Sequence, residues 1–204
     1  MIAIVDYKMG NLASVQKALT YLKVESVITS SIEIIKSADA VILPGVGAYI
    51  PAMKALNESG LADAVKDFAK SGKPVLGICL GMQLLLDSSE EGGEITEGLG
   101  LIPGKVTKFP SEETIDKGLK VPQMGWNSLV DVNSSILREG DYVYFVHSYY
   151  CDCSNPEDVA AYAEYGIKYP CAIEKGNIFA TQFHPEKSGE AGIQILQRFA
   201  EKVL

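Results

Sequence analysis

Pro74-Val75-Leu76-Gly77-Ile78-Cys79-Leu80-Gly81-Met82-Gln83-Leu84-Leu85-Leu86 decides how this chain folds. The apolar run Pro74 to Ile78 has the length and character of a short buried strand. Cys79 follows at once, framed by Gly77 and Gly81, and Met82 to Leu86 reads as the start of a helix. Strand, tight turn and helix in that order make a nucleophile elbow, with cysteine in the place of serine. A side chain on so sharp a turn would strike the neighbouring strand, which is why glycine suits it. The turn lifts the sulfur out of the sheet and sets it near a helix N-terminus. There the dipole and the free N–H groups favour a thiolate. The same pattern also suits an inert core cysteine, a common fate of that residue.

Upstream of the elbow the hydrophobic period switches repeatedly. Ile2 to Asp6 reads as a strand. Leu12, Val15, Ala18, Leu19 and Leu22 then recur at helical spacing behind an N-capping Asn11. Val24 to Thr29 and Ala40 to Leu43 read as two more strands, joined by a short link. Residues 49–70 read as two helical stretches broken near Ser59-Gly60, with Leu61, Ala64, Val65 and Phe68 on the buried face of the second. This alternation predicts an α/β fold with a mixed, mostly parallel central sheet and helices on both faces. Ligands collect at the C-terminal ends of the strands of such sheets. Asp6, Pro44 and Cys79 all fall at those ends.

Two stretches near the elbow carry further chemistry. Pro44-Gly45-Val46-Gly47 follows the third strand, and its glycines leave the backbone free to aim N–H groups at a ligand oxygen. A plain Pro-Gly turn is the simpler reading. Gln83 lies one helical turn after Cys79 on roughly the same face. It suits either an exposed helix glutamine or an amide that grips a substrate.

Downstream, residues 87–98 are acidic and glycine-rich and read as a solvated surface loop. From Gly104 the signal is one of short strands: Lys105 to Phe109, Tyr142 to His147, Val159 to Glu164, Cys171 to Glu174 and Ile178 to Phe183. This predicts a strand-rich extension of the same sheet with some antiparallel pairs, closed by an amphipathic helix from about Glu190 to Val203. His184, one of only two histidines, sits directly after the last strand-like run. Pro185 stiffens the turn between it and Glu186. Cys79, His184 and Glu186 then supply nucleophile, base and orienting acid, the triad logic in its Cys-His-Glu form.

Gly-Ile-Cys-Leu-Gly-Met-Gln followed by Phe-His-Pro-Glu resembles the class I (triad) glutamine amidotransferases, which implies their flavodoxin-like three-layer architecture. Within them, Pro44 to Gly47, Gln123-Met124-Gly125-Trp126-Asn127, Phe145 to Tyr150 and Gln182 to Gly189 are similar to the glutaminase subunits of imidazole glycerol phosphate synthase. The likeness runs from Ile2 to the C-terminus. It implies that the backbone N–H groups of Leu80 and Val46 form the oxyanion hole, after a rotation of the loop. It implies that Gly45, Gly47, Gln83, His147, Ser148 and Tyr149 bind glutamine, with His184 rather than His147 as the base. It implies that Asn11, Gln123, Met124, Trp126 and Lys187 face a partner, although a lone Trp is equally often a core anchor. The implied partner is a cyclase subunit with a (β/α)8 barrel. That subunit takes the ammonia and makes imidazole glycerol phosphate and aminoimidazole carboxamide ribotide in histidine biosynthesis.

Composition sets the outer bounds. The chain of 204 residues fits one sizeable domain, here expected over 1–204, and has no room for a second fold that would use ammonia. A formal net charge of −8 argues against nucleic acid. No apolar run approaches the ~20 residues of a membrane helix. The chain opens as a strand without a charged leader, which predicts a cytoplasmic location. Cys151, Cys153 and Cys171 accompany Cys79; the C-x-C spacing is neither a zinc nor a thioredoxin pattern, so reduced thiols and no cofactor are expected. Three alternatives stay open: a glutaminase feeding another synthase (anthranilate, guanylate or pyridoxal phosphate), a catalytically inactive binding subunit, and an unrelated cysteine hydrolase.

Overall fold

The structure is a computed structural model that describes residues 1–110 and 118–203. Its centre is a seven-stranded sheet. Five strands run parallel: β1 (Ile2–Val5), β2 (Ser26–Thr29), β3 (Ala40–Gly45), β4 (Val75–Cys79) and β13 (Ile178–Thr181). Two antiparallel strands, β12 (Ile167–Lys175) and β11 (Val159–Tyr165), extend the edge beyond β13. The order across the sheet is β11, β12, β13, β4, β3, β1, β2.

Side chains alternate across a strand, so β1 feeds two cores. Ala3 and Val5 pack under α2 (Ile32–Ser37), α3 (Tyr49–Glu58) and α4 (Leu61–Lys70). Ile2 and Ile4 pack under α1 (Leu12–Tyr21) and α6 (Gly189–Ala200). Ile195, Leu196 and Phe199 of α6 are fully buried. Each such side chain contributes roughly 1.5–3 kcal/mol, so tertiary burial rather than propensity holds the helix.

The expected strands and helices are present, with four corrections. The link between β2 and β3 contains a helix, α2, capped by Ser31, whose hydroxyl accepts from Ile34 N. Asn11 occupies the N-cap of α1, but its side chain makes no capping bond. The elbow helix α5 spans only Leu80–Leu84, and the chain turns at once into strand β5 (Leu86–Ser89). The second half does not simply extend the main sheet. With β6 (Thr96–Glu97), β7 (Ile102–Lys108) and β10 (Tyr149–Cys153), β5 forms a separate four-stranded sheet. Strands β8 (Gln123–Ser128) and β9 (Tyr142–His147) make a two-stranded ribbon. Residues 87–98 are therefore partly strand, not loop alone. Among the described residues no helix is long and apolar enough to cross a membrane.

Candidate active site

Three neighbouring strand ends deliver the site. Gly45 at the end of β3 lies opposite Cys79 at the end of β4. Thr181 at the end of β13 lies opposite Ile78, so Gln182, Phe183 and His184 emerge beside the elbow. Cys79 has φ 56° and ψ −109°, a positive-φ conformation outside the regions ordinary side chains adopt. A non-glycine residue there costs of order 1–3 kcal/mol and marks a site held in place by its surroundings. The elbow closes because Gly81 has no side chain: a Cβ there would fall 1.8 Å from the Leu43 carbonyl oxygen on β3.

Above the elbow lies a pocket of about 330 Å³. Cys79, His184, Val46, Gly47, Leu80 and Gln83 line it, as do His147, Ser148 and Tyr149. Gly45 does not reach the pocket; it lies beneath the loop, packed against Tyr7 and Leu80. Tyr7 donates its hydroxyl to the Pro44 carbonyl at 2.8 Å and so ties this loop to the end of β1.

His184 and Glu186 sit as the stiff turn requires. Nδ1 of His184 donates to Glu186 Oε1 at 2.8 Å, and both side chains are buried. Both backbone groups of His184 are also held. Its N–H donates to the Tyr144 carbonyl at 3.0 Å, and its carbonyl accepts from Ser188 Oγ at 2.6 Å. Ser188 Oγ in turn accepts from Tyr144 N. Nε2 is buried without a hydrogen-bond partner and neighbours the Cys79 sulfur. A buried unpartnered nitrogen is costly, and its place is explained if its partner is a proton in transit.

Burial opposes a charge on His184, but the Cys79 sulfur and the Glu186 carboxylate outweigh it and lift the imidazole to about 9. His147 differs. Burial pushes it down to about 4, although the Tyr149 carbonyl at 2.8 Å from Nδ1 favours the proton. Its Nε2 faces the Tyr169 hydroxyl at 3.3 Å. His147 is thus a neutral wall residue anchored through its Nδ1–H, not a second base. Since the chain has two histidines, proton NMR should show two imidazole titrations, near pH 4 and near pH 9, and none near 6.5. A single pair of ordinary midpoints would contradict this electrostatic picture. The sign for stability follows. The contribution of charged His184 is complete below its ordinary value of 6.5 and is lost as pH rises through about 9.

Sequence reasoning missed two residues of the site, one lining the pocket and one buried behind it. Glu91 lines the pocket and accepts from Tyr49 N at 3.2 Å. Burial raises its carboxyl. It lay in an acidic run whose pattern gives no hint of one inward member. Gln182 is fully buried, with its amide against Cys79. Gln83, by contrast, is buried as a binding role requires, and Nε2 donates to both the Tyr149 carbonyl and Gln182 Oε1 at 3.1 Å.

The residues expected to face a partner divide. Met124 and Trp126 are 65% and 46% exposed, so the lone Trp is no core anchor. Trp126 stacks on Tyr142 at 5.7 Å and meets the edge of Tyr144 at 5.9 Å. Lys187 is exposed and Asn11 partly so. Gln123 is buried and accepts from the Tyr169 hydroxyl at 2.8 Å, so it does not present itself to a partner.

The sequence profile of the family described as Glutamine amidotransferase class-I matches residues 3–203. A structure described as glutamine amidotransferase superimposes with a TM-score of 0.75 at 20% identity, covering 100% of this chain and 99% of the other, which establishes the shared fold. The chain belongs to the class-I glutamine amidotransferases. The imidazole glycerol phosphate synthase subunit HisH of Caldanaerobacter subterraneus is 49% identical over 100% of this chain and 98% of its own length. That of Listeria innocua is 50% identical over 98% and 95%. That of Methanosarcina mazei is 50% identical over 98% of both. Within its class, the chain therefore belongs with the glutaminase subunits of imidazole glycerol phosphate synthase.

Proposed function

We propose that Cys79, His184 and Glu186 are the triad with which this chain hydrolyses glutamine. One observation carries the assignment: a strained cysteine and the unpartnered Nε2 of a carboxylate-held histidine meet in one pocket. The Cys79 thiolate attacks the side-chain amide carbon, and the developing oxyanion is held by the N–H groups of Leu80 and, once the loop turns, Val46. His184 takes the thiol proton and gives it to departing ammonia; Glu186 keeps the ring oriented and stabilises its charged form. Water then releases glutamate from the thioester. Gln83, Glu91 and the main chain of Ser148 and Tyr149 offer the polar groups that the α-amino and carboxylate ends of glutamine need. Neither metal nor organic cofactor enters these steps.

The chain acts as one glutamine amidotransferase domain over 1–204, in the cytoplasm. It docks on a (β/α)8 cyclase subunit through the face bearing Met124, Trp126, Asn11 and Lys187. Exposed aromatics of this kind anchor interfaces. Replacing Trp126 with alanine is expected to weaken cyclase binding about 30-fold, the equivalent of roughly 2 kcal/mol. Tyr21→Ala, equally aromatic and 75% exposed elsewhere, should leave it unchanged. Calorimetric titration separates the two; equal effects would remove the docking assignment.

The triad itself is tested by a diazoketone analogue of glutamine, followed by peptide mass spectrometry. Label on Cys79, suppressed by glutamine, is the expected result. Label confined to Cys153, or none, would sink the assignment.

A further inference from the structure

The nucleophile has a partner that the triad does not include. Gln182 is completely buried. Its Nε2 donates toward Cys79 Sγ at 3.7 Å, within reach of an N–H···S bond. Which end of an amide faces a neighbour has to be argued from the surrounding network, and here one immovable group settles it. The Tyr149 carbonyl can only accept. It therefore faces the NH2 end of Gln83 at 3.1 Å and a protonated Nδ1 of His147 at 2.8 Å. The second hydrogen of that same NH2 group points to Gln182, at 3.1 Å, so Gln182 must turn its oxygen toward Gln83. Its own NH2 end is left facing the sulfur. The reversed amide would set two NH2 groups against each other and an oxygen against a thiolate.

The elbow helix provides little alternative. It is only five residues long, so few aligned peptides stand behind Cys79. The Val146 carbonyl, 4.0 Å from Sγ, can accept from the thiol but cannot favour the anion. We infer that Gln182 is a thiolate-stabilising residue, whose amide N–H, oriented by Gln83 and the Tyr149 carbonyl, holds the charged Cys79 sulfur ready for attack. This rests on Cys79 being the nucleophile. Hydrogen bonds to a charged acceptor are the stronger kind, and a donor that favours the anion lowers the pH at which the anion forms.

The test is the pH dependence of Cys79 alkylation by iodoacetamide in the purified full chain, from pH 5 to 10, read on the Cys79 peptide by mass spectrometry. Gln182→Leu removes the donor and the acceptor. Gln182→Glu keeps the shape and the oxygen that Gln83 needs but turns a carboxylate toward the sulfur. The inference expects the alkylation midpoint to rise by about one pH unit in Gln182→Leu. It expects a larger rise in Gln182→Glu. In the presence of the cyclase and its nucleotide substrate, kcat for glutamine should fall about tenfold or more in both, with KM within about twofold, as for a group that acts on the reacting atom rather than on substrate binding. If Gln182→Glu titrates and turns over like the unaltered chain, the amide merely fills space and the inference is overturned while the triad stands. If Cys79 of the unaltered chain reacts no faster than Cys153, the nucleophile assignment fails, and the inference with it.

Discussion

Replacing Cys79 with glycine is expected to abolish glutamate release and yet give a protein more stable than Cys79→Ala. The first half follows from chemistry. Without the sulfur no thioester forms, and loss of a nucleophile from a catalytic triad costs on the order of 10⁴- to 10⁶-fold in kcat. The second half follows from the backbone. At φ 56° and ψ −109°, alanine inherits the strain of the elbow and glycine relieves it. Glycine ordinarily weakens a structure by roughly 0.5–1 kcal/mol relative to alanine; here the sign should reverse by about 1 kcal/mol or more. Chemical denaturation of the two variants reads the difference directly. Glycine equal to or below alanine would show that the elbow stores no strain. Measurable turnover in either variant would place the nucleophile elsewhere.

The second large effect is structural. Gly81→Ala should cost about 4 kcal/mol or more, or prevent folding, because the new Cβ lies 1.8 Å from the Leu43 carbonyl oxygen. That oxygen belongs to backbone held between β1 and β4, so it cannot step aside like a flexible side chain. Relief requires β3 and α5 to separate, which would carry the pocket floor with them. Gly10→Ala is the matched comparison. Its Cβ would meet only side-chain atoms, at 3.3 Å or beyond, and should shift stability by about 1 kcal/mol or less. Guanidinium midpoints for both test this. A Gly81→Ala protein as stable as the parent would mean that the elbow is looser than its geometry.

Much of this was legible before any coordinates. The elbow and the His-Pro-Glu turn are local: glycine, proline and the hydrophobic period fix them within a dozen residues, and the structure places both turns as read, with a shorter helix after the elbow. Elements too short to repeat their period clearly were lost. Helix α2 is six residues with three isoleucines, too brief to reveal a helical repeat. Tyr149 to Cys153 mixes aromatic, thiol and acid, so its strand character showed only in pairing with β7. Which sheet a strand joins is a long-range choice that alternation does not encode. That is why the second half resolved into three sheets, not one extended sheet. Gln182 and Glu91 were hidden for a related reason. Their residue types are ordinary in a strand end and an acidic loop; only folding turns one amide onto the sulfur and one carboxylate into the pocket.

The most direct test of the whole account is glutamate release from glutamine by the purified chain, measured alone, with a cyclase subunit, and with the cyclase and its nucleotide substrate, using Cys79→Ala as control. The account predicts little release alone, a large rise when both partners are present, and none from Cys79→Ala. Strong release that ignores the cyclase, or release that survives Cys79→Ala, would contradict it.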